Sequence, residues 1–143
     1  MFHLIYTSRA SQAFSDADLK KLLMHARLNN GKINVTGMLI YHDGVFLQAL
    51  EGDEQSVREV FKRIEKDARH SGFAILRSQS SFGERRIFGD WSMGFANASG
   101  NAQVLKGFVQ LEAGQDLLTL NQTEATELLS SCNRTSQDVP AHV

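Results

Sequence analysis

Two apolar runs near the middle of the chain, Val35 to Tyr41 and Val45 to Leu50, are joined by His42-Asp43-Gly44. Asp-Gly between two runs of strand formers is a strong local signal for a tight β-hairpin. That hairpin commits the centre of the chain to an antiparallel pair, and a helix signal lies on each side of it. Ser15 can cap the first helix, acids follow in its first turn, and Phe14 stands ahead as a staple. Leu19, Leu22, Leu23 and Ala26 then recur at helical spacing, and Asn29-Asn30-Gly31 reads as the stop. Asp53 to Arg69 reads as the second helix, capped by Asp53 and striped by Val57, Val60, Phe61, Ile64 and Ala68. Phe2 to Thr7, Phe73 to Ser80 and Trp91 to Ala96 complete the set as strands. The order β-α-β-β-α-β-β predicts an α+β fold. Two split β-α-β units with right-handed crossovers make a ferredoxin-like sheet with both helices on one face.

The remaining residues differ in character. Residues 1–97 carry 13 basic and 11 acidic side chains, whereas residues 98–143 carry 2 basic and 5 acidic ones. The shift falls at Asn97-Ala98-Ser99-Gly100-Asn101, a stretch of small and polar residues that reads as a loop. Two domains of organisation are therefore expected: 1–97 as the main domain and 98–143 as a C-terminal helical extension. Asn101 to Leu111 and Thr123 to Cys132 are its helix candidates, and a frayed tail is expected from about Asn133. A helix on the sheet's other face would cover apolar surface that the first two helices leave bare.

Composition removes several function classes. The net charge is -1, without the basic excess of a non-specific nucleic-acid binder. The single cysteine, Cys132, cannot form an internal disulfide, and no signal peptide or membrane span is recognisable, so a cytoplasmic location is expected. The five histidines lack HxH or HxxxH spacing, so no metal site is expected. No P-loop and no nucleophile elbow is present, and no catalytic residue is assigned.

Polar groups set among core positions hold the chemistry. Strand alternation puts Phe46, Gln48 and Leu50 on one face, apolar except for Gln48. A buried amide there needs partners or costs ~1–3 kcal/mol. Tyr6, at the end of the first strand, can supply one. From the residues alone, a Tyr6–Gln48 bond that only stabilises the core and one that belongs to a ligand site are both open. Asn29 and Asn30 read as a helix cap or as ligand amides. Arg63 and Asp67 read as part of a solvated Glu59-Arg63-Asp67 ladder or as the rim of a groove between helices.

The chain resembles the BLUF family of flavin-based blue-light sensors over about residues 2–97. The resemblance rests on five pieces in order: Leu4-Ile5-Tyr6; Asn29-Asn30 with Val35-Thr36-Gly37-Met38-Leu39; Phe46-Leu47-Gln48-Ala49-Leu50-Glu51-Gly52; Ile64 to His70; and Trp91-Ser92-Met93. It implies FAD, held non-covalently between the two helices, with FMN or riboflavin as ring-sharing alternatives. It implies Tyr6 and Gln48 as the photoactive pair and Asn30 as the amide on the pyrimidine side of the ring. Asn29, Arg63 and Asp67 are implied as further flavin contacts, and Leu22 and Ile64 as the aliphatic sandwich. Trp91 and Met93 are implied as the strand residues that pass on the flavin's state. Light-driven electron and proton transfer among Tyr6, Gln48 and flavin would rearrange the Gln48 hydrogen bonds and shift the spectrum slightly red. The signal would then pass to the C-terminal helices.

That assignment is chemically coherent. A flavin needs apolar faces and polar edges, and a glutamine's two ends are alike in shape but opposite in hydrogen-bond sense. Ala68 stands where many relatives have proline, so the second helix is expected to run longer. No cyclase or phosphodiesterase follows residue 97, so a short stand-alone, non-enzymatic sensor is expected. It would act through a homo-oligomer change or a separate protein effector, with no nucleic-acid or membrane partner. The alternatives are a small flavin redox protein, an RRM-like nucleic-acid-binding module and an acylphosphatase-like enzyme.

Overall fold

The computed structural model describes residues 1–80, 86–88, 94–97, 108–109 and 116–137. Six strands form one sheet in the order β4-β1-β3-β2-β5-β6. They are β1 (Phe2–Ala10), β2 (Thr36–His42), β3 (Val45–Gly52), β4 (His70–Ser80), β5 (Gly94–Asn97) and β6 (Phe108–Val109). The first four make the expected ferredoxin-like antiparallel core, with β1 and β3 central. β5 then pairs parallel to β2, and β6 parallel to β5. The β2–β3 turn has φ 52° at Asp43 and 75° at Gly44. Positive φ at both central residues matches the right-handed twist of the strands, and glycine takes such a value without a Cβ clash.

Alternation along the strands divides the apolar residues into two cores. Phe2, Leu4, Tyr6, Leu39, Tyr41, Phe46 and Leu50 join Leu19 and Leu23 of α1 (Asp16–Lys32) and Val57 and Val60 of α2 (Glu54–Glu65). Ile5, Met38, Ile40, Val45, Leu47 and Ala49 join Phe88, Leu117 and Ala125 and Leu129 of α3 (Gln122–Gln137) on the other face. Every residue of β3 is buried, as a strand covered on both sides must be. The expected division of helices between the two faces is therefore observed.

The helix starts follow their caps. Ser15 and Asp18 exchange bonds of 3.1 Å in a capping box, Asp53 Oδ2 accepts from the Ser56 amide at 3.3 Å, and Asn121 and Glu124 repeat the box ahead of α3. The ends depart from expectation. α1 continues through Asn29-Asn30-Gly31 to Lys32, and the left-handed position falls at Asn34, with φ 58°. α2 ends at Glu65 and not at Arg69, so the alanine at position 68 does not extend it. The cause is local: the Asp67 amide bonds back to the Ile64 carbonyl at 3.0 Å, and its carboxylate takes the Arg69 amide at 3.0 Å. A short side chain has offered the backbone an alternative to the helix. Phe108 and Val109, expected in a helix, extend the sheet. α3 runs past Asn133 to Gln137. Among the described residues, no helix is long and apolar enough to cross a membrane.

Two histidines are built into the cores. His3 is buried, and His70 lies with its Nδ1 3.0 Å from Ser8 Oγ and its ring against Phe46 and Phe73. Burial holds both below the ordinary histidine value of 6.5. The unfolded chain then binds more protons than the folded one just below pH 6.5, so the full stability is present above that pH and falls as pH drops below it. A denaturant midpoint measured at about pH 7.5 should exceed one at about pH 5.5. Replacing His3 and His70 together with glutamine should flatten that difference.

Candidate functional site

A cleft opens between α1 and α2 on the helical face of the sheet. Its floor is Gln48 of β3. Register explains why that amide is there. β1 and β3 pair with Tyr6 directly opposite Gln48, and both side chains turn to the helical face. The Tyr6 hydroxyl donates to Gln48 Oε1. Tyr6 is 1% exposed and Gln48 5%. The Tyr6 ring is held edge-on by Phe61, with centroids 5.0 Å apart, and tilted against Phe73 at 5.7 Å. A register shift of β1 against β4 falls between Ile5 and Tyr6, so the strand is locally irregular where the tyrosine sits. Burial, with Asp67's charge as a second cause, pushes the Tyr6 phenol well above its ordinary range.

The walls combine half-buried Leu22 and Ala26 from α1 with buried Val60 and half-buried Ile64 from α2. Asn29, Asn30, Arg63 and Asp67 stand at the edges. Asn30 is 2% exposed in the last turn of α1, and its backbone carbonyl accepts from Ile33 at 3.2 Å and from Val35 at 2.9 Å. Asn29 and Arg63 are exposed. The structure thus brings Leu22, Asn29, Asn30, Gln48, Arg63, Ile64 and Asp67 to one cleft. Trp91 and Met93 lie outside the described residues.

Asp67 is not part of a ladder along α2, because it lies beyond the end of that helix. Its partner is Arg69, with Nη2 to Oδ2 at 2.6 Å and Nε 3.0 Å from each carboxylate oxygen. The Arg69 guanidinium is the main reason the Asp67 carboxyl is held below its ordinary value. Arg69 and His25 also line the cleft, and sequence reasoning gave neither a role. Arg69 had a usable signal. It stands two residues after Asp67, a spacing that joins side chains once the chain has left the helix.

Apolar walls with polar groups at the edges suit a planar heteroaromatic ring that carries carbonyls and ring nitrogens on its rim. Comparison with known proteins identifies that ring's class. The family model described as "Sensors of blue-light using FAD" matches residues 1–94. The chain belongs to the BLUF family. BLUF domains use FAD as their blue-light chromophore, and the donor set of this cleft fits it.

The photoactivated adenylate cyclase subunit beta of Euglena longa is 28% identical over 116 residues. That match covers 81% of this chain and 13% of the relative, so the chain spans about an eighth of that protein's length. Among solved structures, BlsA in its photo-activated state is 29% identical with a TM-score of 0.73, covering 92% of this chain and 94% of that one. The BLUF protein BlrB in its dark state is 26% identical with a TM-score of 0.73, covering 96% of each chain.

The Asp67–Arg69 contact yields a direct test. Arg69→Met should raise the Asp67 pKa towards its ordinary 3.8, read from the side-chain carboxyl shift in an NMR titration. An unmoved titration would mean that Arg69 does not set the charge at this edge of the cleft.

Proposed function

We propose that residues 1–97 act as the blue-light sensor through a Tyr6–Gln48 switch, and that residues 98–143 form the extension that receives the signal. The observation that carries this reading is the buried hydrogen bond from the Tyr6 hydroxyl to Gln48 Oε1 at the floor of the cleft. Bound flavin supplies light absorption and an excited state able to take up an electron. The residues supply the rest.

Tyr6 is a poor acid where it stands, because burial disfavours the phenolate. It therefore remains a neutral donor in the dark. Loss of an electron from its ring makes the hydroxyl proton strongly acidic, and Gln48 Oε1 already accepts that hydrogen. The electron would go to the excited flavin and the proton to Gln48 Oε1, whose amide would give up a proton at its other end. Return of the electron and a proton to Tyr6 would leave Gln48 in a different orientation or tautomer. Turning the amide end for end reverses donor and acceptor with almost no change of volume. The closely packed floor tolerates that exchange far better than a movement of bulk.

Leu22 and Ile64 would hold the two ring faces from α1 and α2. Asn30 would bond the pyrimidine edge, with Asn29, Arg63 and the Asp67–Arg69 pair further along the rim. Trp91 and Met93 would pass the change to the extension. The domain itself is a sensor and not an enzyme. Output would run through a homo-oligomer change or a separate effector protein in the cytoplasm, as the photoactivated cyclase relatives join their light response to an effector.

Purified protein should show flavin bands that move slightly red under blue light and return in the dark. Tyr6→Phe should keep flavin bound, cost about 1–3 kcal/mol of stability because buried Gln48 Oε1 loses this donor, and abolish the persistent shift. Gln48→Leu should abolish it as well, and ordinary cycling in either variant would remove that residue from the switch. Asn30→Ala keeps the backbone carbonyl that closes α1. It should therefore leave the fold intact while weakening flavin retention or altering the dark spectrum, and unchanged loading and spectrum would reduce Asn30 to a cap.

A further inference from the structure

β3 carries two buried polar side chains that face opposite ways. Gln48 faces the cleft, and Glu51, three residues on, faces the α3 side with no solvent exposure. A carboxylate without water must be satisfied by the protein, and this one is. Oε1 accepts from Thr36 Oγ1 at 2.9 Å and from the Phe88 amide at 2.6 Å. Oε2 accepts from the Ile87 amide at 2.9 Å and lies 3.5 Å from His3 Nδ1. Arg86 reinforces the contact from outside, bonding Thr36 Oγ1 at 2.8 Å, the Glu51 carbonyl at 3.3 Å and the Asn34 carbonyl at 2.8 Å.

These bonds are placed unusually for a purely stabilising group. Two go to consecutive backbone amides of a segment that lies between β4 and β5, far from β3 in sequence. Phe88, whose amide is held, is itself 3% exposed and packs in the same apolar cluster as Ala125 and Leu129 of α3. β3 thus holds the switch amide on one face and grips the approach to β5 on the other.

We propose that Glu51 is a positioning residue that couples β3 to residues 86–88, and through Phe88 to the α3 face, so that a change at Gln48 reaches the surface along this route. The proposal rests on Gln48 being the switch. It requires that reorientation of Gln48 alter the pleat of β3 enough to loosen or tighten the two backbone bonds at Glu51. Backbone bonds to a carboxylate are strong and directional, so small displacements of β3 change the protection of the Ile87 and Phe88 amides.

The test uses the full flavin-loaded chain and amide hydrogen exchange in the dark and under steady blue light. In the wild type, Ile87, Phe88 and the α3 amides should exchange differently in the two states. Glu51→Gln presents an NH₂ group to one of the two backbone N–H donors, on the face away from the cleft. Flavin loading and the red shift should persist in that variant, and the light-minus-dark difference at Ile87, Phe88 and α3 should be lost. A merely structural role would lower protection equally in both states and leave the difference in place, which overturns the proposal. So does a wild type that shifts red without any exchange difference there. A wild type with no red shift sinks the switch reading first, and this proposal with it. Should Glu51→Gln fail to fold, Arg86→Met removes the outer three bonds and is judged by the same criterion.

Discussion

Tyr6 and Gln48 meet because β1 and β3 pair in one register. The pairing runs Leu4 to Leu50, Tyr6 to Gln48 and Ser8 to Phe46. A slip of one residue would turn Gln48 to the α3 face and bring Leu47 or Ala49 to the floor of the cleft. It would also move Phe46 and Leu50 out of the helical core and bury Glu51 among α1 and α2. The apolar alternation of β3 thus enforces the position of its one amide. The functional geometry is a by-product of core packing, and it inherits the rigidity of a strand buried on both faces.

The same register separates two kinds of polar chemistry. On the helical face, Gln48 meets a neutral phenol, and the pair has an alternative arrangement of similar shape. On the α3 face, Glu51 meets two backbone amides and a threonine hydroxyl, donors that have no alternative. Under the proposed switch, the first site would be bistable by its chemistry, whereas the second is fixed by it. A switch that must report to a distant surface needs both, because a bistable amide in a compliant setting would relax locally and transmit nothing.

Much of this was readable in the residues. The hairpin at Asp43-Gly44, the split β-α-β order and the Ser15 and Asp53 caps all rest on local chemistry, and all appear where that chemistry puts them. The helix ends did not follow, because they turn on competition. Asn29-Asn30-Gly31 has the composition of a stop, yet the chain does not take a left-handed turn until Asn34. Asp67 has helical spacing from Arg63, yet its carboxylate prefers its own backbone neighbour and Arg69. The site residues were legible as individuals, from alternation and from family resemblance. Their grouping in one cleft depends on two helices separated by residues 33–53 lying side by side, which no local signal specifies.

The ambiguity of the Tyr6–Gln48 bond in the bare sequence has a physical root. A buried amide satisfied by a buried hydroxyl is a sound core interaction, and nothing in the pair alone marks it as a switch. What distinguishes it is the neighbourhood. Core amides are usually enclosed by packing on every side, whereas Gln48 forms the floor of an open cleft edged by Asn30, Arg63 and Asp67. The cost of leaving apolar wall open to water at half-buried Leu22 and Ile64 sets this cleft apart from a packed core around a group that serves only stability. A ring with polar edges covers those walls and engages that rim in one step. On the proposed reading, the cleft is half of a core whose other half is the flavin.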